Sequence, residues 1–162
     1  MTISKGKVAV GMSGGVDSSI AAYLLSESGY HVEGIFMKNW EEDDGENCSA
    51  KEDYEDAMRV CKYLGIELNL VNFSDKYWTD VFESFITELK KGRTPNPDVF
   101  CNKEIKFKQY YQYAMSLNFD LIATGHYACK TNTKVPELHI PKDKVKDQTY
   151  FLYMISQTVL KN

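Results

Sequence analysis

No apolar run in this sequence approaches the ~20 residues that a membrane-crossing helix requires. The opening Met-Thr-Ile-Ser-Lys-Gly-Lys has no secretory core behind it. The expectation is therefore a cytoplasmic protein with no membrane partner. Cysteine is sparse, and Cys48, Cys61, Cys101 and Cys129 contain no C-x-x-C pair, which argues against a zinc ribbon and against a disulfide framework. They read as reduced thiols of a cytosol. Four prolines, ten glycines and a 43% share of hydrophobic residues exclude a disordered or fibrous chain. Internal repeats and low-complexity tracts are missing too. At 162 residues the chain is long enough for one domain with a real core.

What is present is organised around Val8 to Ser19, Val-Ala-Val-Gly-Met-Ser-Gly-Gly-Val-Asp-Ser-Ser. Val8 to Val10 are β-branched or small and apolar, as in a short buried strand. Ser13, Gly14 and Gly15 then turn the chain. A helix is expected from Asp17, with Ile20, Ala21, Leu24 and Leu25 as its apolar stripe and Gly29 just past its end. A glycine-rich turn between strand and helix aims backbone N–H groups at one spot, backed by the positive end of the helix dipole. That is an anion site, and phosphate is the usual anion. A Walker A loop ends in Gly-Lys-Ser/Thr, but no lysine lies between Lys7 and Lys38. Gly11, Gly14 and Gly15 are also spaced wrongly for the dinucleotide fingerprint. Ser-Gly-Gly-Val-Asp-Ser instead resembles the PP-loop of the ATP pyrophosphatases, which release pyrophosphate and transfer AMP.

Strands and helices alternate along the chain. Strands are expected at His31–Met37, Ile66–Phe73 and Leu121–Ala123. Helices are expected at about Lys51–Leu64 (Tyr54, Ala57, Met58, Cys61, Leu64 inward), from Ser74 as N-cap (Trp78, Phe82, Phe85, Leu89 inward), and at about Lys103–Leu117 (Phe107, Tyr111, Ala114, Met115 inward). No hairpin turn separates the strands. The pattern predicts an α/β fold, a doubly wound, mostly parallel, Rossmann-like sheet whose ligands sit at the carboxyl ends of the strands. The phosphate loop, Met37 and Gly125 all fall at those ends. Beyond Tyr127 the pattern weakens. Cys129 to Lys144 reads as irregular, and a last helix is expected to open at Asp147.

Net charge is −4, which argues against a general nucleic-acid binder, but the charge is unevenly spread. Residues 39–56 hold nine carboxylates and one lysine; Glu41 to Glu46 read as a solvated acidic turn, with a metal site as the rarer option. Residues 90–108 hold six basic side chains against Asp98 and Glu104, and residues 130–146 five lysines against Glu137 and Asp143. Either a local basic face for RNA phosphates or a solvated lysine-rich surface fits this distribution.

The second constellation is Thr94-Pro95-Asn96-Pro97-Asp98 leading to Cys101, between loop and helix. A helix N-terminus with Lys103 and Lys106 nearby should favour the thiolate, the form that attacks or forms a persulfide. A buried structural cysteine is the competing reading. The segments GMSGGVDSS, FMKNWEEDDGENC, GRTPNPDVFCNKEIKF, ATGHY and KDQTYFLY occur together and in this order. In them the chain resembles the bacterial tRNA 2-thiouridylase family, within the PP-loop (adenine nucleotide alpha hydrolase) group, over nearly its whole length.

That resemblance implies an ATP- and Mg²⁺-dependent adenylation of C2 of the wobble uridine in tRNAs for Lys, Glu and Gln. A cysteine persulfide, loaded by a sulfur-relay donor protein, then displaces AMP to leave 2-thiouridine. It also implies roles by position. Gly11, Met12, Ser13, Gly14, Gly15, Val16, Asp17 and Ser18 would cradle the phosphates, and Met37 and Gly125 would contact the adenosine. Asn96, Pro97 and Asp98 would meet the target base, Cys101 would be the nucleophile, and Lys146, Asp147 and Gln148 would touch tRNA. Asp17 would hold Mg²⁺, act as a helix cap, or both. The family's second cysteine has no match in Cys48, Cys61 or Cys129. Residues 1–127 are accordingly expected to form the adenylation domain. Residues 128–162 would be an irregular segment with the start of a helix, cut before the family's tRNA-binding and barrel domains. The alternatives are a nucleotide-binding remnant without turnover, and a PP-loop synthetase acting on a small molecule.

Overall fold

The computed structural model describes residues 5–39 and 49–162. Cys48 and the acidic stretch Glu41 to Glu46 lie outside the described residues. The chain divides into two compact units, one running up to Asn72 and joined by Gln112–Gly125, the other Phe73–Tyr111 with His126–Asn162.

In the first unit, β1 (Lys7–Met12), β2 (His31–Lys38), β3 (Glu67–Asn72) and β4 (Leu121–Ala123) form one parallel sheet in the order β3-β2-β1-β4. β1 pairs with β2 from Lys7↔His31 to Met12↔Phe36 and with β4 from Val8↔Leu121 to Val10↔Ala123. The chain thus moves outward from β1 through β2 to β3, then returns to the opposite side of β1. That reversal creates the crevice where ligands of such sheets bind. Helices α1 (Val16–Glu27) and α2 (Ser49–Leu64) make the crossovers. Val8, Val10, Met12, Val32 and Phe36 form the core with Ala22, Ala57 and Cys61. Ala9 and Ile35, on the opposite face of the same strands, are buried as well, as parallel strands covered on both faces should be.

The inward faces differ in detail from the expected stripes. On α1, Ser18 and Ala22 are buried and Ala21 and Leu25 pack on the core, while Ile20 and Leu24 are half exposed. Small residues face the sheet where the helix comes close, which turns the larger side chains outward. On α2, Ala57 and Cys61 are buried with Tyr54, Val60 and Leu64 against them, and Met58 is largely exposed.

The second unit is built on two long helical runs that both change pitch. α3 (Ser74–Tyr77) continues through a π-helical turn, Trp78–Phe82, into α4 (Glu83–Lys90). α5 (Pro97–Phe100) continues through a π-helical run, Cys101–Gln109, into α6 (Tyr110–Ser116), whose end belongs to the first unit. The Glu83 N–H donates to the Trp78 carbonyl and the Tyr110 N–H to the Ile105 carbonyl, each five residues back. The wider turn rotates the buried face. Val81 is fully buried, whereas Trp78 and Leu89, expected inward, are about half exposed; in the next run Ile105, Tyr110 and Ala114 are fully buried. Ser74 is not the cap. Phe73 occupies that position, and Ser74 is the first helical residue, buried.

Two further expectations need correction. Cys129–Lys130 (β5) pairs antiparallel with Leu138–His139 (β6) inside the stretch read as irregular. The helix expected from Asp147 is a single 3₁₀ turn, Thr149–Leu152, followed after a break by the short α7 (Gln157–Lys161). The Asp147 carboxylate accepts from the Thr149 N–H at 2.8 Å and so starts the turn. The Ser156 hydroxyl accepts from the Val159 N–H and opens α7 separately. Among the described residues no helix is long and apolar enough to cross a membrane.

Candidate functional site

The loop after β1 is held in shape by its own serines. The Ser18 hydroxyl donates to the Gly15 carbonyl at 3.0 Å, accepts from the Ser13 N–H at 3.2 Å, and lies 3.1 Å from the Ser13 hydroxyl. The Ser19 hydroxyl donates to the same Gly15 carbonyl at 2.9 Å. Buried Ser18 therefore ties both ends of the loop, which fixes the loop independently of any ligand.

Two glycines set the space around it. Gly14 has φ +76°, and a Cβ there would stand 2.5 Å from the Asp53 carbonyl oxygen of α2. A Cβ on Gly125, just past β4, would stand 2.5 Å from the Ser18 nitrogen and 2.7 Å from the Asp17 carbonyl carbon. The chain leaving β4 thus lies directly against the first turn of α1, at the point where strand order reverses. Gly15, in extended conformation, is the N-cap residue, so Asp17 is not the cap and is instead the acidic residue of the first turn. Gly11 and Met12 are buried at the end of β1, paired with Ile35 and Phe36, and Met37 at the end of β2 is half-buried. Hence Gly11 to Ser18, Met37 and Gly125 all stand at the carboxyl ends of three adjacent strands.

A glycine loop held by its own serines and opening at the positive end of a 12-residue helix fits a nucleotide's phosphates. Among the described residues no cluster of three or more carboxylate, imidazole or thiol groups forms a metal site. A magnesium ion carried by nucleotide phosphates needs only one or two carboxylates from the protein, and Asp17 is the carboxylate of this loop.

The second group of predicted residues falls in the second unit. The Asn96 side-chain oxygen accepts from the Asp98 N–H at 2.9 Å and from the Val99 N–H at 3.3 Å, with Pro97 at the first helical position. Asn96 and Pro97 therefore start the helix by capping and by a pre-set φ, and they display Asp98 exposed in the first turn.

Cys101 lies one turn further in and is buried. The expectation of a favoured thiolate is overturned here. Burial pushes the thiol up, Lys106 pulls it down, Asp98 pushes it up again, and the net direction is upward. The helix starts at Pro97 rather than at the cysteine, so the dipole, which acts within the first turn, contributes less than the sequence suggested. Cys61, Cys101 and Cys129 are all free thiols.

Two shifted ionisable groups of this unit were not picked out as site residues in the sequence. Tyr77, at the end of α3, is pushed up by burial first and by the charges of Cys101 and Asp98 second. His126 packs on Phe107 with ring centroids 5.5 Å apart, and burial together with Lys106 pushes it down to about 4. The only available signal for His126 was its position after Gly125; Tyr77 gave none beyond an aromatic on a helix. Asn102 is also buried, its amide donating to the Phe151 carbonyl at 3.1 Å.

Of the triplet expected to touch tRNA, Gln148 is engaged internally. Its side-chain oxygen accepts from the Tyr127 N–H at 2.8 Å and its own N–H donates to the Tyr127 carbonyl at 3.0 Å. The Lys146 ammonium lies 4.2 Å over the Tyr127 ring. Asp147 accepts from the N–H of Thr149, the first residue of the 3₁₀ turn. All three residues hold the Tyr127 backbone and the following turn together, with Lys146 and Asp147 exposed.

A doubly wound parallel sheet with a glycine-lined phosphate loop at its switch point defines an α/β nucleotide-binding protein of the PP-loop, Rossmann-like class. The family model described as the tRNA methyl transferase HUP domain matches residues 6–162, and the chain belongs to that family. It is 58% identical over 154 residues, 94% of this chain, to the tRNA-specific 2-thiouridylase MnmA of Pseudomonas putida, and 57% identical over 158 residues, 96% of this chain, to that of Legionella pneumophila. It spans 41% and 44% of the length of these two relatives. Among solved structures, the U34-tRNA thiolase NcsA of Methanococcus maripaludis, with its [4Fe-4S] cluster, superposes with a TM-score of 0.54 at 30% identity, covering 76% of this chain and 39% of that one.

Proposed function

We propose that this chain is the nucleotide-activating part of a cytoplasmic tRNA 2-thiouridylase. ATP binds on the Gly11–Ser18 loop between Met37 and Gly125, and AMP is transferred to the C2 oxygen of the wobble uridine in tRNAs for Lys, Glu and Gln. One observation carries the reading: the alignment with tRNA-specific 2-thiouridylases over nearly the whole chain. The loop supports it, because Gly14 packed on the Asp53 backbone and Gly125 packed on the first turn of α1 hold the loop and the helix start in place. Bound ATP with Mg²⁺ supplies the activated phosphorus and pyrophosphate as leaving group. The loop N–H groups stabilise charge as it builds on the phosphates, and Asp17 holds the magnesium. An amide-like carbonyl oxygen is a poor leaving group, so its conversion to an AMP ester makes displacement by sulfur feasible.

Asn96, Pro97 and Asp98 present the first turn of their helix to the uridine, and Cys101 is the nucleophilic thiol. The sulfur comes as a cysteine persulfide from a relay donor. Lys146 and Asp147 offer tRNA an exposed rim anchored by Gln148. The test uses ATP labelled at the α-phosphate, Mg²⁺, an unmodified tRNA-Glu transcript and this chain as the only protein. Labelled AMP on the tRNA with matching pyrophosphate, dependent on the wobble uridine, is the expected result. Bound ATP with no transfer would replace this reading with nucleotide binding without turnover.

A further inference from the structure

The 3₁₀ turn Thr149–Leu152 is braced from several sides. The bond from the buried Asn102 amide to the Phe151 carbonyl, at 3.1 Å, ties it to the helix that carries Cys101. α5 and the π-helical run after it both lie against the turn. Leu152 is buried, the Phe151 N–H donates to the Gln148 carbonyl, and the Ile155 N–H donates to the Leu152 carbonyl, each at 3.0 Å. Yet the tyrosines on either side of Phe151 and Leu152 face solvent. Tyr150 and Tyr153 each keep 64% of their surface exposed, with ring centroids 5.9 Å apart and planes inclined by 42°. Tyr150 also meets the Phe151 ring edge-on at 5.6 Å. The fold thus holds two aromatic rings side by side and leaves them open to water.

The surroundings favour RNA over an apolar partner. Lys142, Lys144 and Lys146 are exposed in the segment leading into the turn. The carboxylates between and after them, Asp143 and Asp147, each accept a backbone N–H two residues on, from Val145 and Thr149. The Lys146 ammonium stands over the Tyr127 ring, and the Tyr127 backbone is bonded twice to Gln148, the residue before the turn. Aromatic faces with ammonium groups close by match single-stranded nucleic acid, which offers a π-face on every base and a phosphate between bases. We propose that the Tyr150–Tyr153 pair is a stacking platform for an unpaired base of the RNA substrate, the nucleotide next to the one that α5 meets. The inference rests on the reading of this chain as acting on tRNA. Chemistry on a base takes that base out of its stack; its neighbour then loses a stacking face, and the tyrosine pair replaces it. At 5.9 Å the two rings already touch each other, so the base lies on the outer face of the pair rather than between its rings. Such stacking tolerates any base, so the platform grips the loop and leaves base identity to be read elsewhere.

The test follows binding of a fluorescein-labelled, unmodified tRNA-Glu transcript by anisotropy, with a fully paired RNA duplex as second probe. Tyr150→Ala and Tyr153→Ala should each weaken tRNA binding about tenfold and duplex binding less than about twofold. Tyr150→Phe and Tyr153→Phe keep the ring and should stay within about twofold of the parent chain. Tyr150→Leu and Tyr153→Leu, which keep apolar area without a π-face, should fall with the alanine variants. The slope of log K against log salt should be the same in all of them, because no phosphate contact is lost. Parent-like tRNA affinity in the alanine or leucine variants, equal losses on tRNA and duplex, or a shallower salt slope would each overturn the platform. So would a dimer of this chain, seen by sedimentation velocity, that Tyr153→Ala dissociates while tRNA affinity is kept; the face would then belong to a second copy. Labelled-AMP transfer run in parallel separates the two readings. Tyrosine-dependent tRNA binding without AMP transfer sinks the adenylation reading and leaves the platform. AMP transfer with tyrosine-independent binding sinks the platform alone, and no tRNA binding by the parent chain sinks both.

Discussion

The two candidate sites of this protein are made of different material. The loop of the first unit is a backbone site: its shape comes from strand register, a helix start, two serines and the glycines that leave room beside them. The cysteine site of the second unit is a side-chain site, in which burial raises the thiol, with Lys106 lowering it and Asp98 raising it. A backbone site is preorganised by the fold and is sensitive to added volume. A side-chain site is sensitive to burial and to single charges. Each kind should fail in its own way, and substitutions can expose the difference.

The largest effect is expected from volume in the backbone site. Gly125→Ala puts a Cβ within 2.5 Å of the Ser18 nitrogen, and Gly14→Ala forces both a left-handed φ and a 2.5 Å approach to the Asp53 carbonyl. Strain of this kind costs on the order of 1–3 kcal/mol per site, and here it falls on the phosphate cradle itself. Nucleotide affinity, followed by titration with a fluorescent ATP analogue, should drop at least tenfold, about 1.4 kcal/mol, in either variant. Ordinary affinity in Gly125→Ala would mean that the nucleotide does not use this approach.

The complementary change is Cys101→Ser. It alters one atom in the side-chain site and leaves the glycine cradle alone, so labelled-AMP transfer to tRNA should stay within about twofold of the parent chain. Loss of adenylation in this variant would erase the division of labour between the two groups of residues.

The comparison also explains what the sequence made readable. Ser13, Gly14, Gly15 and Gly125 were legible because glycine spacing and a strand–turn–helix pattern encode a backbone site directly. The parallel sheet followed from alternation of strands and helices, whereas the order β3-β2-β1-β4 was read only from the structure. Cys101 was legible as a position but not as a chemical state: its burial and the helix start at Pro97 come from packing and from capping by Asn96, and together they reverse the expected thiolate. The π-helical turns were not legible either, because helical periodicity was read at 3.6 residues per turn. The same change of pitch misplaced Trp78 and Leu89.

His126 offers a pH-dependent test of the side-chain site. Its folded pKa, pushed down to about 4 by burial and Lys106, lies below the ordinary 6.5. Between those values the unfolded chain binds a proton that the folded chain does not, so stability is full above about pH 6.5 and falls as pH drops toward 4. A difference of this size corresponds to about 3 kcal/mol. Thermal melts of His126→Gln between pH 7 and 5 should be flatter than those of the parent chain. Parallel curves would show that this imidazole is not kept neutral by its surroundings.

The smallest expected effect concerns a residue for which both a structural and a substrate role are in view. Asn96 is proposed to meet the target base, yet its side-chain oxygen already accepts two backbone N–H groups. Asn96→Ala removes the cap and should cost about 1 kcal/mol, visible as a modest fall in melting temperature, while Asn96→Asp, an equally good cap, should restore stability. The useful reading is the pair together. If Asn96→Asp recovers stability and tRNA adenylation alike, Asn96 acts by fixing the helix that carries Asp98 and Cys101. If it recovers stability alone, the amide itself is required at the uridine, and the cap and the contact are separate duties of one side chain.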